Sequence, residues 1–415
     1  MPSEPRRRQP ESSPTDLVYA AILKEASPIA AMPLALDAEL TVSALLGGVY
    51  AAADRDRPKA VRQFVTDFGR YLAKRRTPEA RAVRAGLAAL HPDLVTAPTG
   101  KAATPDWIAA AGAVTCTGTW AVRDNYGDQT QYVATFAYDD PERGGPDHAV
   151  SYLLDHNLGC GKEVSIGVPA TQVVASWQAE AAQDSADLTI ESVEPGRLRA
   201  DVTAYLAQTD ELAQPYSDSY QEDRGFALAR LRVLPEGEPT PRPAVLSDAD
   251  RDAVVAAFLD SPEAAYVGAG GAPAPEPPSQ EVIAWGARAA IDFACDDNAG
   301  DPLRWSPTAV ELFMITWMPR QVAPGHRAAP WLPEVLDAYV TFAGRVRGQP
   351  ATAIAATKQA ITEYVVPYTD LMAGQALGEP VTDVLARMVA DGVDPMDEDA
   401  VLKWVLADRA RRGRD

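Results

Sequence analysis

The sequence predicts an α+β protein, mainly helical, in which a small antiparallel sheet with flanking helices precedes an all-helical C-terminal domain. Apolar residues recur at three- and four-residue spacing over most of the chain, the period of helices packed on a core. Between residues 113 and 168 the period changes to strict alternation, the signature of half-buried strands. A glycine- and proline-rich stretch at 268–278, GAGGAPAPEPP, then separates this part from a further helical one.

The elements follow in order. Residues 1–14 combine Pro, Ser and Glu with the Arg6-Arg7-Arg8 run and no apolar period, so they read as a disordered arm. No uninterrupted apolar stretch follows that run, so no secretory signal is expected. Residues 15–92 read as a helical N-terminal region; Val61, Phe64, Val65, Phe68 and Leu72 form one stripe there. An α+β domain is placed at 104–182. Thr104-Pro105-Asp106-Trp107 opens it as a helix start, with Thr104 as N-cap and Gly112 closing the turn. Val114, Cys116, Trp120 and Val122 then alternate with threonines, and Tyr132, Ala134, Phe136 and Tyr138 repeat the pattern beyond the turn Asp124 to Asp128. His148 to Leu154 and Glu163 to Val168 complete an antiparallel meander, covered by a helix from Pro169 to Ala182. Residues 183–267 read as a helical region, and the main domain boundary is placed in the linker 268–278. In the helical C-terminal domain, 279–408, Ser279 caps a first helix, Ser306-Pro307 starts one that ends before Pro319, and Pro333 starts another. A basic tail, 409–415, closes the chain.

Composition narrows the function classes. With 47% hydrophobic residues the chain can build substantial cores, while its net charge of −20 repels phosphate backbones and anionic lipid. Nucleic acid is therefore disfavoured as a partner. The most apolar window, Ile29 to Ala53, is broken by Pro33, Asp37 and Glu39 and falls short of the roughly 20 apolar residues a bilayer span needs. Cys116, Cys160 and Cys295 are odd in number and widely spaced, which fits a reducing cytoplasm.

Chemistry concentrates between Asp147 and Gly161, DHAVSYLLDHNLGCG. His148 and His156 lie on one strand face, yet eight residues of strand separate them by about 26 Å, too far to share a metal. Asp155, His156 and Cys160 gather at the strand end and are the candidate catalytic residues. The plainer reading is that Asp155 and Asn157 bind a glycine-rich turn while His156 is a satisfied polar group. Gly161-Lys162 fails as a phosphate loop because His156 stands where its first glycine belongs and Glu163 where its hydroxyl belongs. No H-E-x-x-H and no G-x-S-x-G occurs, and the acidic clusters lack the glycine and terminal glutamate of a calcium loop. No cofactor and no metal is expected.

Between Asp54 and Arg84 stand ten basic residues against four acidic ones, a local charge of +6 in a chain of −20. Arg62, Lys74, Arg75 and Arg76 are the candidate interaction residues, with Phe64, Phe68 and Tyr71 as apolar support for a partner. The tryptophans Trp305, Trp317, Trp331 and Trp404 read as core residues.

The run Leu153 to Gly159, LLDHNLG, together with Trp305 to Glu311, WSPTAVE, Leu332 to Leu336, LPEVL, and Asp391 to Asp394, DGVD, resembles an uncharacterised family common in actinobacteria. Its members are multi-domain cytoplasmic proteins with no assigned activity, so the resemblance implies an architecture and carries no residue roles. The expected function is a non-catalytic cytoplasmic interaction or regulatory protein with an unknown protein partner. The alternatives are a hydrolase or ligand-binding enzyme working at Asp155, His156 and Cys160, and RNA binding through the basic helices 54–84.

Overall fold

A computed structural model describes residues 13–99, 105–183, 188–212, 218–241, 243–269, 277–323 and 326–373, with positions 388, 391, 393 and 404 beyond them. The arm 1–12, the central linker residues 270–276 and the tail 409–415 lie outside the described residues. The architecture is α+β and mainly helical, with one five-stranded antiparallel sheet. The chain divides into two compact units, Met1–Arg242 and Pro243–Asp415.

In the first unit α1 is Pro14–Glu25, α2 Ala35–Ala51, α3 Arg57–Ala73 and α4 Pro78–Leu90. Ser13 and Thr77 accept the N–H of Asp16 and Ala80, so each caps a helix that has proline in its first turn. Pro14 is thus the first turn of a helix and not the end of an arm. Thr104 lies outside the described residues; Pro105 precedes a short 3₁₀ turn, Asp106–Ala109, and Gly112 takes φ +73° after it.

The sheet comprises β1 Val114–Asp124, β2 Gln129–Tyr138, β3 His148–Asp155, β4 Cys160–Gly167 and β5 Leu188–Ser192. The short helix α5, Pro141–Gly144, links β2 to β3, and α6, Ala170–Gln183, links β4 to β5. Strand order is β4-β3-β2-β1-β5, a meander to which β5 adds as an antiparallel edge beside β1. β5 falls within 183–267, read from sequence as helical. Its five residues, LTIES, are too few to display a period, and the edge of β1 decides their conformation.

Alternation assigns the two faces. Tyr132, Ala134, Phe136, Val150, Tyr152 and Leu154 pack with Leu198, Val202 and Leu206 of α7, Pro195–Glu211, and with Phe226 and Ala227 of α8, Asp218–Val233. The same core includes the inner residues of α2, α3 and α4. Val133 and Ala149 point the other way, to Ala170, Val173 and Trp177 of α6. In β1 the sequence places Val114, Cys116 and Trp120 on one face, but a bulge between Cys116 and Gly118 inserts one residue and inverts the phase. Val114 and Cys116 therefore join the main core with Ala121, while Trp120 joins the α6 side. A Cβ at Gly118 would come within 2.2 Å of the Trp120 ring, so any other residue there would have to displace that ring.

The second unit contains α9 Asp248–Leu259, α10 Gln280–Asp296, α11 Pro307–Glu311, α12 Met318–Gln321, α13 Leu332–Arg347 and α14 Ala351–Met372. A capping box between Ser247 and Asp250 opens α9, and Ser279 and Ser306 cap α10 and α11. Phe258 and Ala264 share one core with Phe293, Trp305, Phe313 and Tyr339. The stretch 268–278 accordingly lies inside the second unit: its composition marks a local break, whereas packing carries α9 into the C-terminal core. The helix from Pro307 does not end before Pro319. It widens into a π-helical segment, Leu312–Trp317, and continues as α12, so that Pro319 falls just after the stretch in which the helical hydrogen-bond pattern changes. Trp305, Trp331 and Trp404 are buried and Trp317 is half-buried, with its indole N–H donating to Asp297. Among the described residues no helix is long and apolar enough to cross a membrane.

Close approach of α2 and α8 depends on small residues. A Cβ on Gly47 would sit 2.6 Å from the Gln221 carbonyl oxygen, and beside it the Ser43 hydroxyl donates to Glu222 O and accepts the Phe226 N–H. Gly47→Ala should therefore destabilise the first unit by about 1–3 kcal/mol, read as a lower urea midpoint at unchanged slope.

Candidate functional site

The two turns at one end of the sheet lie side by side. In the β1–β2 turn the Asp124 carboxylate accepts the N–H groups of Tyr126, Gly127, Asp128 and Gln129 at 2.6–3.1 Å, and Gly127 takes φ +77°. β3 ends at Asp155, so His156 is a turn residue, and its N–H donates to Asp128 O at 2.8 Å.

Asp155, His156 and Cys160 are brought together here as the sequence suggests. Asp155 Oδ1 accepts the N–H of Asn157 at 2.9 Å and of Leu158 at 3.0 Å, while its Oδ2 is 3.4 Å from Lys162 Nζ. The His156 ring is held at both nitrogens, Nε2 2.8 Å from Thr130 Oγ1 and Nδ1 2.6 Å from the Tyr205 hydroxyl. Tyr205 also packs edge-on to it, with centroids 5.4 Å apart. Cys160 pairs with Asp155 across the β3–β4 ladder and is buried. Thr209 Oγ1 reaches over from α7 to Gly161 O at 2.7 Å, fastening β4 to that helix.

A second polar cluster lies inside the first unit. Arg230 of α8 is fully buried; its Nε donates to His148 Nε2 at 2.9 Å and its Nη2 to the Tyr138 hydroxyl at 2.8 Å. The same Nη2 is 2.8 Å from Oε2 of buried Glu39, whose Oε1 accepts the Gly112 N–H at 2.8 Å. Because His148 Nε2 accepts, its proton is on Nδ1, which faces Pro146 O at 3.3 Å. Burial, reinforced by the Arg230 charge, lowers the His148 pKa to about 3, so the ring is neutral. Sequence reasoning missed this cluster. Its one signal is Glu39, which with Asp37 interrupts the apolar stretch of α2.

The basic segment 54–84 forms α3 and part of α4. Lys59, Arg62, Arg70, Lys74 and Arg76 are exposed. Arg62 meets Asp93 at 3.0 Å and Arg70 meets Asp67 at 2.9 Å; Lys59, Lys74 and Arg76 have no anionic partner among the described residues. Arg75 lies over the Tyr71 ring, 3.3 Å from its centroid, and donates to Tyr71 O. Phe64, Phe68 and Tyr71 are not surface support for a partner. Phe68 and Tyr71 are buried, and all three rings cluster with Tyr19 of α1, because they fall on the inner side of α3.

Two cavities stand apart from these clusters. One, of about 450 Å³, is lined in the second unit by Glu263, Glu334, Asp337 and Lys358, which are already engaged: Glu263 pairs with Arg345, Asp337 with Lys358, and Glu334 accepts the Gly268 N–H. The other, of about 440 Å³, lies along the start of β1 beside Pro195 and Val233. Neither is lined by Asp155, His156 or Cys160. Among the described residues no group of three His, Cys, Asp or Glu side chains is placed to hold a metal ion. No family model, curated protein or solved structure matches this chain.

Removing Glu39 would strand the buried Arg230 charge, so Glu39→Ala should cost about 3–5 kcal/mol in urea unfolding, far more than an exposed Glu→Ala change. The histidines set an acid limit. His148 is lowered to about 3, and His91, depressed by burial and then by Arg232, to about 4, both from 6.5. Each binds its proton more readily in the unfolded chain, so stability is complete above pH 6.5 and falls as pH drops toward the folded values. Asp223, raised to about 6 by burial and then by Glu222, opposes this below that pH. The expected loss is at most about 1.4 kcal/mol per pH unit for each histidine, and His91→Leu should flatten the profile between about pH 6.5 and 5. An unchanged slope would contradict the assignment.

Proposed function

We propose that this chain is a cytoplasmic interaction or regulatory protein that works without catalysis. The observation that carries the reading is the state of His156: one ring nitrogen is bound to Thr130 and the other to Tyr205, residues from β2 and α7. A general base needs a ring nitrogen directed at a substrate proton or at a nucleophile the substrate can reach; here one nitrogen is on the hydroxyl of Thr130, which is buried, and the other is on Tyr205, so both tie the turn to its neighbours. Asp155, engaged by two backbone N–H groups and Lys162, and Cys160, buried in the ladder, are committed to the same turn. The cytoplasmic part of the reading is supported by cysteines that are odd in number, widely spaced and joined by no disulfide among the described residues, as a reducing compartment leaves them.

Native mass spectrometry with metal analysis on the purified full chain tests the reading. We expect the mass of the bare polypeptide, or of a complex with another protein at fixed stoichiometry. A metal or small molecule retained at one per chain, and released by His156→Ala, would overturn it in favour of an enzyme at the strand end.

A further inference from the structure

We infer that the outer face of α3 is a docking surface for an acidic protein segment, an inference that rests on the interaction reading above and names the partner's chemistry. At 100° per residue, Lys59, Arg62, Arg70 and Lys74 fall within a sector of about 120°, opposite the buried Val61, Val65, Phe68 and Leu72. The row extends about 22 Å along the helix, roughly four turns. It is available. Lys59 and Lys74 have no anionic partner among the described residues, and the side chains of Arg62 and Arg70 are 56% and 70% exposed. Their own pairs, with Asp93 and Asp67, lie at the surface, where ion pairs contribute little, so exchanging them for a partner's carboxylates costs little.

Helix stability accounts for only part of the row: Arg70 and Lys74 stand at the C-terminal end, where cations complement the helix dipole, but Lys59 at the other end does not. The first turn of α3 holds no acidic residue and carries Arg57 and Lys59, the wrong sign for the positive end of the helix dipole. Arg70 and Lys74 are like charges at i, i+4, a mildly unfavourable spacing. Any polar residues would keep this face in water; a row of cations in a chain of net charge −20 gives it in addition a local field that attracts an anion.

Between anions, the aromatic residues decide. Single-stranded nucleic acid is gripped by exposed rings that stack on bases, and none of the three rings of this helix is exposed: Phe68 and Tyr71 are buried, the latter with Arg75 over its face, and Phe64 is half-buried against Tyr19 and Phe68. A long polyanion would also meet the repulsion of the whole molecule, whereas a short Asp- and Glu-rich segment meets only the local field.

The test is fluorescence anisotropy of the full chain with a labelled, glutamate-rich peptide of about four helical turns. Two variants that change the net charge equally are compared: K59E/R70E/K74E on the face, and K24E/R320E/R327E at exposed cations elsewhere, both checked for an unchanged urea midpoint. The face variant is expected to bind at least about tenfold more weakly than wild type and to show a shallower salt dependence, with the control within about twofold. Equal losses in both variants, no binding at low ionic strength, tighter binding of a single-stranded RNA of matched charge, or self-association abolished by the face variant would each overturn the inference. None of these touches the interaction reading, which fails only if a metal or small molecule is found at His156.

Discussion

The first unit depends on the buried guanidinium of Arg230. Its partners come from three other elements: His148 from β3, Tyr138 from β2 and Glu39 from α2, with Phe226 of its own helix 4.0 Å beneath it. Through Glu39 the network also reaches Gly112, just before β1. Apolar packing between helices and a sheet is non-directional and tolerates small slides. A charge taken out of water does not, because a displaced partner leaves it unsolvated. The network thus fixes how α2 and α8 sit on the sheet, and it makes His148 a neutral acceptor whose tautomer is dictated by Arg230. His148, one of the two histidines in the run Asp147 to Gly161, is a structural part of this lock.

How much of this was legible depends on the distance over which each feature is determined. Strands β1 to β4 and most helices follow from local period and caps, as with Ser247 and Ser306. The bulge at Cys116 to Gly118 could not be read, because alternation continues on paper while the backbone changes phase; the only trace is a glycine two residues before a tryptophan. β5 was missed because LTIES takes its conformation from the edge of β1. The linker 268–278 misled for a related reason. Glycine and proline report backbone freedom, but Phe258, which precedes them, belongs by packing to the core that follows.

The strand-end residues were visible because Asp155, His156 and Cys160 are neighbours in sequence. Thr130 and Tyr205, which determine what His156 does, are 26 and 49 residues away and carry no pattern of their own. Glu39 and Arg230 are further apart still. The basic face was legible from counting alone, since surface charge needs no partner to be recognised. Its aromatic residues were placed on the wrong side because charge counting ignores helical phase, and phase puts Phe68 beside Val65 and Leu72 in the core.

The same phase gives the outer face of α3 its fitness for docking. Val61, Val65, Phe68 and Leu72 belong to the core that holds Phe226 and the apolar flanks of the Arg230 network. The helix backbone is therefore fixed from within before any partner arrives, and binding would order only side-chain ends on a surface whose backbone entropy folding has already removed. An equal number of cations on an unstructured arm would have to lose that entropy on association. The buried ion pairs and the exposed cations are linked in this way: the first hold the core rigid, and the second project from the rigid helix that results.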